Sequence, residues 1–386
     1  MNIKATLSLQ KSSDKVWDVI VIGAGPAGAL AAYELTRRGV SVLLVDRAAF
    51  PRRKVCGSCF NQSALAILED VGLQDLVFEF HAQPVYQFLL AIGKRQVVIP
   101  LPSSVVLSRE TFDAALIKEA IERGSEFLPQ TQAVSEALHS SARGVILRQG
   151  DSKVSVKAKV VLAADGLGGN FLQGEKGFET KINPHSRVGV NAIMKEALNF
   201  YSSGIIFMAC ARGGYIGLVR LEDGQLNIAA ALDPRFLKKA KGPGKAVVAI
   251  LRESGLPFDR DWETHPWCGT PELTRHRSQL AAERLFVLGD AAGYVEPFTG
   301  EGIAWALASG TKVVPLVLEG IRKWDPLLAV RWNQFHFRQI GRRQNMCWGV
   351  TRVLQKATLM HFVARVLSWK PSLAAPFIQR MNAPFR

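Results

Sequence analysis

The chain has 386 residues, 48% of them hydrophobic and 21% charged, enough for one large or two interleaved domains around a sizeable core. Its five cysteines (Cys56, Cys59, Cys210, Cys268 and Cys347) are too few and too uneven for a disulfide scaffold and fit a reducing compartment. Net charge is +15, and residues 322–386 carry +11 of it, with twelve Lys or Arg, one acid and four of the eight tryptophans.

The polar first 15 residues have no apolar signal-peptide core and read as a disordered leader. WDVIVI (17–22) is a short β-branched run, the mark of a buried parallel strand. GAGPAG follows, then a helical stretch closing at Gly39, then VSVLLVD, a second strand ending at Asp46. Strand, glycine turn, helix, strand and acid form one βαβ unit with a dinucleotide fingerprint. Gly23 permits the tight turn, Gly25 lets backbone N–H groups approach a pyrophosphate, and Gly28 brings helix against strand. Pro26 and Ala27 open the helix, whose N-terminus favours anions, and Asp46 suits a ribose hydroxyl pair.

A helix is predicted over 61–71, two strands over 85–100 around Gly93-Lys94, and an amphipathic helix over 109–123. VKAKVVLAAD (156–165) is a strand leading into a glycine turn. Residues 180–275 alternate as strands, one pair joined at Asp223-Gly224. LFVLGD (285–290) returns to the buried-strand type, a helix follows over 301–319, and the remainder is helical and basic. The most apolar stretch, GIAWALASGTKVVPLVL, is broken by Lys312 and Pro315, which argues against a membrane span. The expected fold class is α/β: a discontinuous Rossmann-like dinucleotide-binding domain (16–84, 105–179 and 276–320), an inserted mainly β substrate domain (85–104 and 180–275), and a basic helical tail (321–386).

LFVLGDAAGYVEPFTGEG (285–302) resembles the second FAD signature of the p-hydroxybenzoate hydroxylase-like flavoproteins. The matching positions are Gly289, Asp290, Pro297, Gly300 and Gly302. The resemblance implies that Asp290 binds ribose or ribityl oxygen and that the segment after Pro297 opens a helix toward the flavin pyrimidine. VVLAADG (160–166) is similar to the third signature, which puts Asp165 and Gly166 near the pyrophosphate, and Arg109 matches the family's arginine near the cofactor. The expected binding domain is therefore an FAD domain. Within this superfamily, Asp46-Arg47 and the segment Phe50-Pro51-Arg52-Arg53-Lys54-Val55-Cys56-Gly57 resemble the FPRxKxCG segment of the geranylgeranyl reductases, which reduce carbon–carbon double bonds in prenyl lipids through FAD. Arg47, Lys54, Cys56 and Gly57 join the cofactor-side residues on that basis. The WxWxIP motif of the related halogenases is absent, so halogenation is disfavoured. The resemblance runs from about 17 to 320, and residues 180–275 supply no substrate motif.

With one fingerprint only, electrons are expected from transient NAD(P)H docking or an electron-carrier protein. Three functions fit: reduction of a double bond in a hydrophobic prenyl or polyketide lipid, hydroxylation of an aromatic or polyketide compound by an FAD monooxygenase, and electron transfer to quinone at a membrane surface. Cys56 is either a proton donor or a small residue filling space beneath the flavin, and its spacing to Cys59 admits a disulfide. The scattered histidines give no metal site. No G-x-S-x-G stretch marks a hydrolase. The tail segment VTRVLQKATLMHFVARVLSW (350–369) has helical spacing; it either lies in a membrane interface or packs on the core. The two readings correspond to a cytoplasmic location and to one peripheral on the membrane, and nucleic-acid binding rests on charge alone.

Overall fold

The computed structural model describes residues 2–138, 141–296, 298 and 300–385. Its first sheet has the strand order Ala281–Ala282, Leu285–Val287, Ser152–Ala163, Val16–Ile22, Val42–Val45, Glu126–Leu128. From Leu285–Val287 onward all neighbours in this order pair in parallel. Central strands covered on both faces need apolar side chains at every position, and Val19 to Val21 and Val42 to Val45 are all buried. Helices Pro26–Thr36, Arg109–Glu122 and Gly302–Lys312 pack together on this unit. The antiparallel strands Gln132–Leu138 and Arg143–Gln149 extend it through the long strand Ser152–Ala163.

The second sheet runs Cys268–Glu272, Val188–Met194, Leu226–Leu232, Gly214–Arg220, Ile205–Ala211, Gln83–Ile92, Arg95–Val106, Cys59–Phe60. Strands Val188–Met194, Ile205–Ala211, Gly214–Arg220 and Leu226–Leu232 are mostly buried on both faces because both faces are covered. Phe207, Ala209, Ile216 and Leu218 pack with helix Pro243–Glu253. Their sequence neighbours Met208, Cys210 and Tyr215 turn the other way, toward Leu354, Met360 and Ala364 of the C-terminal tail. The period-two alternation of a strand thus serves two separate cores.

Two sequence expectations change, and a third gains detail. The leader is not disordered: Ile3 N donates to Phe50 O at 3.1 Å, Thr6 N donates to Phe127 O at 3.1 Å, and Leu9 is buried. Trp17 Nε1 also donates to Ser12 O at 2.8 Å, so the segment is anchored by backbone pairing that its polar composition conceals. The region 180–275, expected as mainly β, also contains helices Pro234–Ala240 and Pro243–Glu253. The stretch 350–369 is two helices, Arg342–Gln355 and Ala357–Trp369, separated at Lys356, which is extended (φ −106°, ψ 107°). That break lays the second helix across strands Gln83–Ile92 and Arg95–Val106. Gly302–Arg322 is long and apolar enough to cross a membrane, but 67% of its most apolar window is buried within the protein, as in a core helix.

Candidate active site

The fingerprint turn shows why its glycines are required. Gly23 has φ +104°, and a Cβ there would sit 2.3 Å from Ala164 O; a Cβ on Gly28 would sit 1.9 Å from Gly23 O. Asp46, buried at the end of its strand, accepts from Ala24 N and Ala48 N, both at 2.8 Å, which fixes the carboxylate beside the turn.

A cavity of about 150 Å³ opens at this point, lined by Gly23, Gly25, Pro26, Ala27 and Asp46, and by Gly289, Asp290, Gly300 and Gly302. Helices Pro26–Thr36 and Gly302–Lys312 both begin at its wall, so two helix N-termini face one space. Gly57, Arg109, Asp165 and Gly166 also line it. Pro297 lies outside the described residues. Arg47 does not line the cavity; its Nη1 donates to Gly168 O at 3.2 Å, on the turn following Asp165. Asp165 lines the cavity but accepts from Phe171 N at 2.9 Å, so its carboxylate also holds that turn.

Three cations gather here. Arg52 and Arg109 place Nη2 atoms 3.6 and 3.9 Å from the position a Cβ on Gly25 would take, and Lys54 Nζ is 3.7 Å from the corresponding position on Gly166. Burial, reinforced by Arg52 and Arg109, pushes the Lys54 ammonium below its ordinary value. Burial works against charge on Arg109 too, but Asp113, hydrogen-bonded to Nε and Nη2 at 2.8 Å each, outweighs it and keeps the guanidinium charged. Burial pushes the Asp290 carboxyl up, opposed by Lys54 and Arg109. Arg109 is placed by the start of its helix: Ser108 Oγ accepts from Thr111 N at 3.1 Å, and Glu222 from the second sheet accepts from Ser108 Oγ at 2.6 Å and Thr111 Oγ1 at 2.8 Å. Clustered cations, backbone without Cβ atoms and two helix N-termini fit a diphosphate, and buried carboxylates at strand ends fit sugar hydroxyls. The residues present therefore fit a flavin dinucleotide. Sequence reasoning left out Arg52 and Asp113, although one stands in the quoted FPRRK segment and the other lies one helical turn beyond Arg109.

A second cavity of about 430 Å³ adjoins the first, and the two share Val55, Cys56, Gly57, Cys59, Tyr294 and Gly300. Its floor is the tail-facing side of the second sheet, kept low by Gly189, Gly217, Ala229 and Ala231. Its roof is the C-terminal tail, including Leu354, Met360, Leu367 and Ile378. No Asp, Glu, Lys, Arg or His lines it among the described residues. Cys56 and Cys59 stand at the junction as free thiols. Burial, with Cys56 adding to it, pushes the Cys59 thiol up to about 12, and its Sγ donates to Gly57 O at 3.2 Å. The Cys56 loop is pinned from below: Asn227 Nδ2 donates to Cys56 O at 3.0 Å, and Asn191 Nδ2 donates to Asn227 Oδ1 at 2.7 Å. No cluster of His, Cys, Asp and Glu suited to a metal occurs among the described residues.

A parallel sheet with a fingerprint turn, a cationic dinucleotide cavity and an adjoining apolar chamber defines an FAD-dependent oxidoreductase. Residues 16–317 match the FAD binding domain family, and the chain belongs to it. It is 25% identical over 399 residues to a digeranylgeranylglycerophospholipid reductase of Methanocaldococcus jannaschii, covering 94% of this chain and 97% of the relative. It is 26% identical over 387 residues to a menaquinone reductase of Mycobacterium tuberculosis, covering 92% of each. Among solved structures, the flavin-dependent brominase Bmp2 superposes with a TM-score of 0.80 at 17% identity, over 95% of this chain and 94% of that one, a likeness of fold. These relatives support the geranylgeranyl reductase-like reading within the p-hydroxybenzoate hydroxylase-like superfamily.

Proposed function

We propose that the enzyme uses reduced FAD to saturate a carbon–carbon double bond in a prenyl-type lipid chain. The observation that carries this reading is the uncharged apolar chamber joined to the dinucleotide cavity at Cys56 and Tyr294. Each CH₂ taken from water into such a chamber contributes roughly 0.8 kcal/mol, whereas a charged headgroup would pay desolvation with no partner there. A chain therefore enters and a charged head stays outside. The names of the two reductase relatives favour the same class of substrate.

In this reading Gly25, Arg52, Lys54, Arg109 and the two helix N-termini hold the pyrophosphate, while Asp46 and Asp290 take ribose or ribityl hydroxyls. Bound FAD supplies a two-electron donor, recharged by transient NAD(P)H docking or by an electron-carrier protein. The chain's own residues align the lipid and keep water from the reacting carbon. The tail supports docking on a membrane surface as well. Opposite the buried Met360 and Ala364, helix Ala357–Trp369 leaves Phe362 62% and Trp369 84% exposed, with Arg365 and Lys370 also exposed nearby. That arrangement suits a basic, aromatic face lying on anionic lipid.

Filling the chamber tests the assignment. Gly217→Leu points into it, where a Cβ would have only ordinary contact, 3.5 Å from Met208 Cε. The variant should keep its FAD and lose at least ~10-fold in turnover of a geranylgeranyl-bearing glycerophospholipid, whose product gains two hydrogens and no oxygen. Unchanged turnover would reject the chamber as the substrate site.

A further inference from the structure

Saturating a double bond takes a hydride at one carbon and a proton at the other. The chamber wall holds four ionisable side chains: Cys56, Cys59, Tyr215 and Tyr294. Cys59 already donates its S–H to Gly57 O. Tyr215 stands between the chamber and a buried acid–arginine pair, Glu296 and Arg187. Its hydroxyl lies beside Glu296, which is 0% exposed. Arg187, also buried, places Nη1 3.4 Å from Glu296 Oε2 and its guanidinium 5.5 Å from the Tyr215 ring centre. Glu296 Oε1 is buried and has no hydrogen-bond partner among the described residues. An orphaned carboxylate oxygen is costly in a core, and a proton on the group removes much of that cost. Burial raises the affinity of Glu296 for a proton in the same sense, against the pull of Arg187.

Resting on the reductive reading above, we propose that Tyr215 donates the proton that completes reduction of the chamber-bound double bond, with Glu296 as its proton reservoir. One carbon takes hydride, with its electron pair, from the reduced flavin. The other forms its new C–H bond with the Tyr215 phenol proton, using the electron pair of the broken π bond. The phenol oxygen regains a proton from the Glu296 carboxyl as it loses its own. Tyr215 ends neutral, and the negative charge left on Glu296 lies beside Arg187. Glu296 then takes a proton from water before the next turnover. The flavin is the oxidised product and the lipid the reduced one, so electrons and protons balance. Placing the charge on Glu296 avoids a phenolate, which burial and the neighbouring carboxyl disfavour strongly.

The test uses the FAD-loaded full chain, reduced with dithionite without oxygen and mixed with a geranylgeranyl-bearing glycerophospholipid in mixed micelles. Tyr215→Phe should bind FAD normally and be reduced normally, yet lipid-driven reoxidation should slow by ~100-fold or more. Glu296→Gln, which keeps the shape of the side chain but has no acidic proton to give, should slow it at least ~10-fold with little change in lipid KM. Independently of turnover, infrared spectra of the wild type should show the carbonyl band of a protonated buried carboxyl that Glu296→Gln lacks. Tyr215→Phe reoxidising within about twofold of wild type would overturn the proposal, as would absence of that band. If wild-type flavin is not reoxidised by the lipid at all, the reductive reading fails and this proposal with it. A wild-type reaction that survives Tyr215→Phe refutes only the role of Tyr215.

Discussion

At the scale of single residues, the fingerprint separates folding from cofactor binding. Gly25→Val should give a folded protein that purifies without yellow cofactor, because its side chain enters the gap between the turn and the Arg52 and Arg109 guanidiniums. Gly28→Ala should instead destabilise the fold by roughly 1–3 kcal/mol, since a Cβ 1.9 Å from Gly23 O forces helix and strand apart. Circular dichroism, thermal melting and flavin absorbance distinguish the two, and a yellow Gly25→Val protein would contradict the pyrophosphate assignment. Glu301 supplies a pH signature. It is buried, Arg343 Nη1 lies 3.6 Å from its Oε1, and burial raises its pKa to about 7. The folded protein then holds a proton that the unfolded chain releases near the ordinary carboxylate pKa. Stability from this group is greatest at acid pH and falls as pH rises toward and through about 7. Glu301→Gln should therefore raise the melting temperature relative to wild type more at pH 8 than at pH 5; equal shifts at both would refute the coupling.

Among the elements, the C-terminal tail matters most, and Arg343 is its clasp. Its guanidinium donates to Met381 O at 3.1 Å, to Pro384 O at 3.2 Å and to Ala383 O, and lies 3.8 Å from the Phe385 ring centre. The same arginine faces Glu301, at the start of the helix that borders the dinucleotide cavity, so one side chain links that helix to the roof of the apolar chamber. Arg343→Ala removes the donors to Met381, Ala383 and Pro384 and the cation beside Glu301, and should lower the melting temperature, with Arg343→Lys recovering part of it. Limited proteolysis should then cut the tail of Arg343→Ala first; an unchanged digestion pattern would remove Arg343 from this role. The sequence signalled these elements unevenly. The βαβ unit around Gly23 and Asp46 was legible because strand, turn, helix and acid follow one another within one short stretch. The chamber was not, because its floor comes from alternate residues of strands far apart in sequence, such as Gly189, Gly217 and Ala229. The basic composition of the tail pointed to its outer face, and its helical spacing left packing on the core open. The inner face, with Met360 and Ala364, became meaningful once the chain turned at Lys356. Arg187 and Glu296 lie 109 positions apart, and no local pattern predicts that pairing.

At the scale of the whole molecule, the nucleotide-binding sheet, the second sheet and the tail enclose two joined spaces, one cationic and one apolar. In the proposed membrane docking the contact falls on Phe362 and Trp369, the exposed aromatics of helix Ala357–Trp369. Phe362→Ser with Trp369→Ser should reduce flotation with anionic vesicles while leaving bound FAD intact, and undiminished flotation would exclude that face. In the proposed reaction electrons pass from flavin to a lipid double bond without oxygen. Reducing the bound flavin anaerobically, adding a geranylgeranyl-bearing lipid and following the flavin absorbance tests this. Oxidised flavin should return in step with saturated product. Flavin that stays reduced until oxygen is admitted, with an oxygen atom then found in the product, would contradict it and identify a monooxygenase.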